Sequence, residues 1–429
     1  MYAHQVPVLA GGAGVSRGFV SAPGPPAAAS RHSDADSARA LVALAVAYFA
    51  SFASGGILLP LTAMAMHNVG LSPSAIGLMW GARALSSTVA PFGWGVLADR
   101  RGNARPFVVA SLLLGALLLL VLSQVTRPLW AILVFGLYGL LANPASSLMD
   151  GMTLTALGPQ KHRFGRVRAF GTVGFGLSAL SATMLIEQGT LAALPSRLFP
   201  IAALCLVTGA IVIWRFCPPL SRPSLGRLRD VHLAFRQRTV VGLVVTAGLL
   251  WCSHAAYSSF LAPLTQAQGL PASTIGWSIA AAVLVEALAM SLTSRILFYV
   301  SARRVVVGVA VITVVRWTLT PLFDSVTAFV LLSALHGLTF GLLFTTIVSI
   351  IATQVPEELR QASQGMLSSF SFGIGGFVGA VLCGWVLEHT NASTTWWTMA
   401  VIAVPGVISA FRATRSPWQS HPPLRPPPS

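Results

Sequence analysis

Twelve apolar runs, each long enough to cross about 30 Å of hydrocarbon, follow one another from Ala40 to Arg412 with only short breaks between them. Their approximate spans are 40–66, 73–98, 106–125, 128–157, 164–187, 197–216, 238–266, 273–298, 304–321, 326–354, 361–388 and 393–412. Lipid offers the backbone no hydrogen-bond partner, so each run must satisfy its own peptide groups, and a helix does so. The expected fold is therefore an all-α polytopic membrane protein with twelve transmembrane helices. Composition agrees, because the chain is 55% hydrophobic and 9% charged, against roughly 25% charged in soluble domains.

Net charge is +16, which would suit a nucleic-acid ligand if it were gathered on one soluble face. Here the basic residues sit in short loops, so the expected partner is the lipid bilayer and nucleic acid is excluded. Lys161 is the only lysine, and the dominance of Arg reads as base composition rather than chemistry. Cys205, Cys217, Cys252 and Cys383 lie in or at the ends of apolar runs without metal-ligand spacing, so no disulfide and no zinc are expected. The early GGAGVS string lacks the Lys-Ser/Thr ending of a phosphate-binding loop, and no cofactor is expected.

Residues 1–38, rich in Ala, Gly, Pro and Ser, read as a disordered cytoplasmic tail without a secretory signal. Residues 39–216 form a first six-helix half, and 217–237, carrying Arg222, Arg227, Arg229 and Arg236, a cytoplasmic linker. A second half, 238–412, precedes a Pro-rich cytoplasmic tail, 413–429. Asp99-Arg100-Arg101 to Arg105, Lys161 to Arg166, Arg215 to Arg238, Arg303-Arg304, Arg360, Arg412 and Arg415 all fall on one side of the membrane, which the positive-inside rule makes the cytoplasm. Both termini are then cytoplasmic, the membrane is expected to be a bacterial inner membrane, and a monomer is expected.

The halves resemble each other at an offset of 199. Gly70-Leu71 through Ile76-Gly77 matches Gly269-Leu270 through Ile275-Gly276, and the same register carries Arg105 onto Arg304, Gly174 onto Gly373 and Gly176 onto Gly375. Internal repeats in membrane transporters put the substrate site near the midplane between the copies.

Charges inside the runs mark candidate sites, since an ionised side chain there costs at least ~2.5 kcal/mol and needs a partner or a watery cavity. Asp150 and Arg168 straddle a polar elbow, Gly158 to Arg163, and at a rise of ~1.5 Å per residue each lies ~10 Å inside from it. They are obvious partners, either lining a substrate path or simply locking two helices. Of the eleven acidic residues only Asp150 and Glu286 lie deep in apolar runs. Glu286 is thus the candidate proton carrier, with a neutral, hydrogen-bonded core Glu as the alternative. His336 is a second coupling candidate, or a packing His. His254, beside Tyr257, either bonds a carboxylate or caps a polar cluster. Arg316 faces a cavity or snorkels outward. Arg83, deep in the second run, binds an anionic substrate or pairs across helices. Three intramembrane Arg against two acids favour an anionic solute, in a cavity that Tyr48, Phe170, Trp251, Tyr257 and Phe260 could line.

Gly95-Val96-Leu97-Ala98-Asp99-Arg100-Arg101-Gly102-Asn103-Ala104-Arg105 resembles the G-x-L-a-D-r-x-G-r-k-r loop of the major facilitator superfamily. Gly95 and Gly102 permit close approach and a tight turn, and Asp99 can meet a helix N-terminus or an Arg, so Gly95, Asp99, Arg100, Gly102 and Arg105 are the expected conformational latch. The second copy has Phe298 where Asp99 stands, which weakens that half of the latch. Within the superfamily the chain resembles the phenylpropionate permease group and, more distantly, the lactose permease type of sugar/proton symporter. The resemblance rests on Phe164-Gly165-Arg166-Val167-Arg168-Ala169-Phe170-Gly171, His254-Ala255-Ala256-Tyr257, Val315-Arg316-Trp317 and Leu335-His336-Gly337. It implies sugar-type contacts at Asp150 and Arg168, and recognition joined to proton coupling at Glu286, Arg316 and His336. The lactose type has a Glu one turn after the His, where this chain has Thr339, so that proton site does not carry over.

The expected function is proton-coupled uptake of a small organic acid, such as an aromatic carboxylate, by alternating access. The substrate set is Asp150, Arg168, Arg316, His254, Tyr257 and Arg83, and the coupling set Glu286 and His336. A proton-driven efflux antiporter is the rival, although the Gly-Pro element usual in that group's fifth helix is missing from Gly171 to Met184. A sugar or nucleoside symporter and a non-transporting solute sensor follow. An enzyme is not expected, since the one Gly-x-Ser-x-Gly string, Gly14-Val15-Ser16-Arg17-Gly18, falls in the expected tail rather than at a strand-to-helix turn, and no His-Glu-x-x-His string occurs.

Overall fold

The computed structural model describes residues 34–187, 194–219 and 236–414. Residues 1–33, 220–235 and 415–429, which carry most of the expected tails and linker, lie outside it. Among the described residues every regular element is helical. The helices are α1 (Asp34–Asn68), α2 (Pro73–Arg101), α3 (Arg105–Leu122), α4 (Pro128–Ala142, resuming as Pro144–Leu157), α5 (Phe164–Glu187) and α6 (Leu194–Phe216). The second set is α7 (Arg238–Ser253 and Ala255–Ala267), α8 (Ser273–Tyr299), α9 (Ala302–Leu319), α10 (Val326–Ala334 through Leu343–Gln354), α11 (Glu357–Ser368 through Gly376–His389) and α12 (Ala392–Ala413).

Among the described residues eleven helical spans are long and apolar enough to cross a membrane. The twelfth, α2, is 29 residues long but carries Arg83, Asp99, Arg100 and Arg101. Helix α1 begins at Asp34, so 34–38 are helical rather than tail. A helix once nucleated gains a hydrogen bond with each residue added, and nothing in Ala35 to Ala38 stops it.

Four runs that read as single helices are interrupted near their midpoints. In α4 the break is at Asn143, where Pro144 has no N–H to offer the preceding turn. In α7 it is at His254, and a further kink leaves Phe260, three residues before Pro263, at φ −127° and ψ 15°. Helices α10 and α11 widen into π-helical turns at Gly337–Leu342 and Ser369–Gly375.

The two copies pack alike. Helix α1 lies against α5 and α6 as α7 lies against α11 and α12, and the α2–α4 and α3–α6 contacts recur as α8–α10 and α9–α12. The turn before α2 closes with Leu71 N–H donating to Met66 O and Gly70 at φ 93°. The turn before α8 repeats it, with Leu270 N–H on Thr265 O and Gly269 at φ 72°. Both are left-handed positions that only Gly takes without strain.

The halves meet through α2–α11, α5–α8 and α1–α7. At the end bearing Gly70 and Gly269 the closure uses glycine on both sides of a pseudo-twofold. Gly77 of α2 lies on the Ala380 and Gly384 backbone of α11, and Gly276 of α8 lies on Leu180 and Thr183 of α5. Glu388 also accepts the Ser74 N–H at 2.8 Å, so a carboxylate from the second half caps the first turn of α2. Toward the opposite, elbow end the first stretch of α11 packs on α7 and α10 of its own half, and the halves part.

Candidate functional site

The elbow between α4 and α5 is a tight turn, Gly158–Arg163, entered through Gly158 at φ 51°. It returns the chain so that Arg168 Nε lies 3.5 Å from Asp150 Oδ1, with both side chains about a third exposed. Tyr48 donates to the same Oδ1 at 2.6 Å and lies 3.3 Å from Thr153 Oγ1. The Arg168 guanidinium lies 3.9 Å from the centroid of Phe52 and 5.2 Å from that of Tyr48. A planar cation between a carboxylate and an aromatic face is fixed in direction, which an ammonium would not be. Gly171 gives this guanidinium room, since a Cβ there would stand 2.9 Å from Nη1.

Glu286 comes to the same region from the second half. Its helix is held against α10 by two glycines, and a Cβ on Gly341 would stand 2.9 Å from Glu286 Cγ. The half-buried carboxylate lies within electrostatic reach of Arg168 and forms no hydrogen bond among the described residues. Arg168 therefore pairs with a carboxylate of its own half and lies within electrostatic reach of one of the other.

The second half holds a buried polar cluster around Thr339. Arg316 is 1% exposed, so it does not snorkel. Its Nη1 is 3.4 Å from both His336 Nδ1 and Thr339 Oγ1, and the guanidinium lies 4.7 and 4.0 Å from the ring centroids of Tyr257 and Trp317. His254 Nδ1 lies 2.6 Å from the Leu250 carbonyl and must donate to it, and its Nε2 lies 3.0 Å from Thr339 Oγ1. His254 thus caps a polar cluster rather than bonding a carboxylate. Arg316 is always a donor, so His336 accepts on Nδ1. Tyr257 stacks on His336 at 4.5 Å and donates to Ser278 O at 3.2 Å. Thr339 stands where the lactose type has Glu, and it takes the hydrogen bonds that this position receives.

Other expected residues lie elsewhere. Phe260 is buried at the closed end against Gly384, away from this region. Phe170 is 53% exposed, and Trp251 stacks on His254 at 5.8 Å. In the loop after α2, Gly102 at φ 61° caps the helix, with its N–H on Asp99 O at 3.1 Å. Gly95 is buried, Arg100 is exposed, and Arg105 bonds the Trp214 carbonyl of α6 in its own half. Arg83 lies on the same helix, well before that loop. It bonds Asn143 Oδ1 at 3.3 Å and sits among Trp80, Phe135 and Tyr138, with centroids 5.4–5.9 Å away. Asn143, Trp80 and Phe52 were not singled out from sequence, although Asn143-Pro144 inside an apolar run is a turn signal.

A family model described as the MFS_1 like family matches residues 41–398. The chain belongs to that family. This MFS_1-like chain is a secondary transporter, an integral membrane protein and not an enzyme, and it moves a small molecule. It is 26% identical over 373 residues to a probable 3-phenylpropionic acid transporter of Escherichia coli (strain K12), covering 85% of this chain and 95% of that one. It is 22% identical over 363 residues to the maltose permease of Geobacillus stearothermophilus, covering 84% and 91%. Among solved structures, the nucleoside transporter NupG superposes with a TM-score of 0.75 at 18% identity, covering 87% of this chain and 98% of NupG. A bacterial homologue of the human lysosomal transporter Spinster, inward-facing and unoccupied, gives 0.70 at 15% identity, covering 90% and 98%. The last two speak for the fold.

Proposed function

We propose that this chain is a proton-coupled symporter that imports a small organic acid across a bacterial inner membrane, with both termini in the cytoplasm. The observation that carries the reading is that Arg168, paired with Asp150 of its own half, lies within electrostatic reach of Glu286 of the other. Rocking of the halves leaves the 3.5 Å pair within the first half intact and changes only the distance to Glu286. A carboxylate whose cationic neighbour comes and goes with the cycle can load a proton in one state and release it in the other. The probable 3-phenylpropionic acid transporter supports an aromatic carboxylate as substrate. Arginines in the loops at the elbow end support the orientation.

One observation favours a second substrate class. Arg168 is already neutralised by Asp150, and such a pair offers donors and acceptors to the hydroxyls of a neutral sugar or nucleoside, in keeping with the maltose permease relative. Uptake into proteoliposomes decides between them. Wild-type protein is expected to accumulate labelled 3-phenylpropanoate, but not maltose or uridine, under an inward-directed proton gradient. Glu286→Gln is expected to keep exchange and lose accumulation. Accumulation by that variant places coupling elsewhere, and exit of substrate driven by the same gradient makes the protein an antiporter.

A further inference from the structure

The three intramembrane arginines differ in what they have left to give. Arg168 is paired with Asp150. Arg316 is sealed at 1% exposure between Tyr257, Trp317, His336 and Thr339. Arg83 has no carboxylate partner among the described residues, and it borders two cavities at once. One, of about 240 Å³, lies wholly within the first half, and the other, of about 390 Å³, lies between the halves beside α2, α7 and α11. Arg83, Trp80, Asn143 and Leu59 line both, so they form the partition between them.

The chemistry of that partition is one-sided. Among the described residues Arg83 has no ion-pair partner, and its one side-chain hydrogen bond, to Asn143, is long at 3.3 Å. A guanidinium has five N–H donors. Trp80 is 5% exposed, and its indole N–H, a donor only, has no partner. Ser51 Oγ, in the smaller cavity, is likewise buried without one. No Asp or Glu lines either cavity. The remaining wall of the smaller cavity is apolar, with Leu58, Leu112, Met149, Phe175 and Leu206. Buried donors left without acceptors are destabilising, and a ligand that supplies acceptors recovers that loss.

The placement of the guanidinium is built, not incidental. Gly139 of α4 is pressed onto α2 at this point, where a Cβ would stand 2.7 Å from Arg83 O and 3.0 Å from its Cα. The stem is therefore held, and three aromatic faces surround the head. Asn143, where α4 is interrupted before Pro144, presents its amide oxygen to Arg83.

We propose that Arg83 and Trp80 are the carboxylate anchor of this transporter, and that the ligand is a compact monocarboxylate whose apolar body fills the cavity inside the first half. This rests on reading the chain as an organic-acid carrier, but it moves recognition of the anion from Arg168 to Arg83. At about 240 Å³ that cavity is below the ~300–1,000 Å³ of most small-molecule sites, which restricts the ligand to a compact one.

The test measures binding in detergent, apart from transport. Purified full-length protein is titrated with benzoate, cyclohexanecarboxylate and 3-phenylpropanoate, and with the three corresponding amides, by calorimetry. The acids are expected to bind and the amides to bind at least tenfold more weakly. Arg83→Gln is expected to lose at least tenfold in acid affinity, and Trp80→Phe, which keeps a ring and removes only the N–H, about three- to tenfold. Arg83→Lys guards against a folding defect, since it retains the charge and is expected to bind acids better than Arg83→Gln. No binding of any acid, equal binding of acids and amides, or undiminished binding by folded Arg83→Gln overturns the proposal. Loss of acid binding in Arg168→Gln with none in Arg83→Gln overturns it too. Acid binding that depends on Arg83, with no uptake into liposomes, upholds the anchor and removes the symport reading instead.

Discussion

The glycine seam between α2 and α11 makes a strong test of the conformation described here, because it needs no substrate. A Cβ on Gly77 would stand 2.5 Å from Ala380 O and 3.2 Å from Gly384 Cα. Both are backbone atoms and cannot rotate aside. Overpacking of this kind costs typically 1–3 kcal/mol, and in Gly77→Ala that cost falls only on states in which the seam is shut. The equilibrium should move toward states open at this end by about 5- to 150-fold. Gly93, on the same helix, has nothing within 4 Å of its Cβ position, so Gly93→Ala shares the gain in helix propensity and lacks the clash. The reporter is Met64→Cys in a background without the four native cysteines. Met64 is 3% exposed and lines a cavity of about 370 Å³ at the closed end. Its labelling by a membrane-impermeant maleimide, when opening is fast, tracks the open population. Gly77→Ala should speed labelling many-fold and Gly93→Ala should leave it unchanged. Equal rates in the two variants would refute the assignment of this seam as the closure.

Arg168→Lys should reach the membrane at normal levels yet lose at least about tenfold in transport kcat/KM, because an ammonium cannot lie flat on Phe52 while facing Asp150; wild-type transport by that variant would remove the planar role. Glu388→Gln should raise Met64→Cys labelling by no more than about fivefold, with the difference vanishing in high salt, as expected of an exposed carboxylate at a helix N-terminus. A salt-independent effect would mean that packing rather than charge holds that contact.

The helical architecture was legible because period, length and charge all point one way in a lipid solvent. The register of the repeat was legible for a narrower reason. Gly70 and Gly269 occupy left-handed turns that other residues strain to adopt, so the same letters recur where the same backbone must. The meeting of Asp150 with Arg168 follows from counting residues either side of a turn, and the ion pair is there at 3.5 Å. The surroundings of Arg83 were not legible. They depend on α4 pressing Gly139 against α2 and on Asn143 of that run meeting Arg83, and neither contact has a signature within α2 itself. Thr339 shows a different gap. Sequence reading saw only that an acid was missing, while the hydroxyl's position between His254 and Arg316 depends on three helices converging.

The interruptions of α4, α7, α10 and α11 all fall near the middle of their helices, at Asn143, His254, Gly337–Leu342 and Ser369–Gly375. A long rod with a rung missing at its centre behaves as two short rods on a joint. Four such joints at one depth mean that the upper and lower parts of the molecule need not turn as a unit. The elbow-end segments can swing inward around a bound solute while the glycine seam at the other end stays shut.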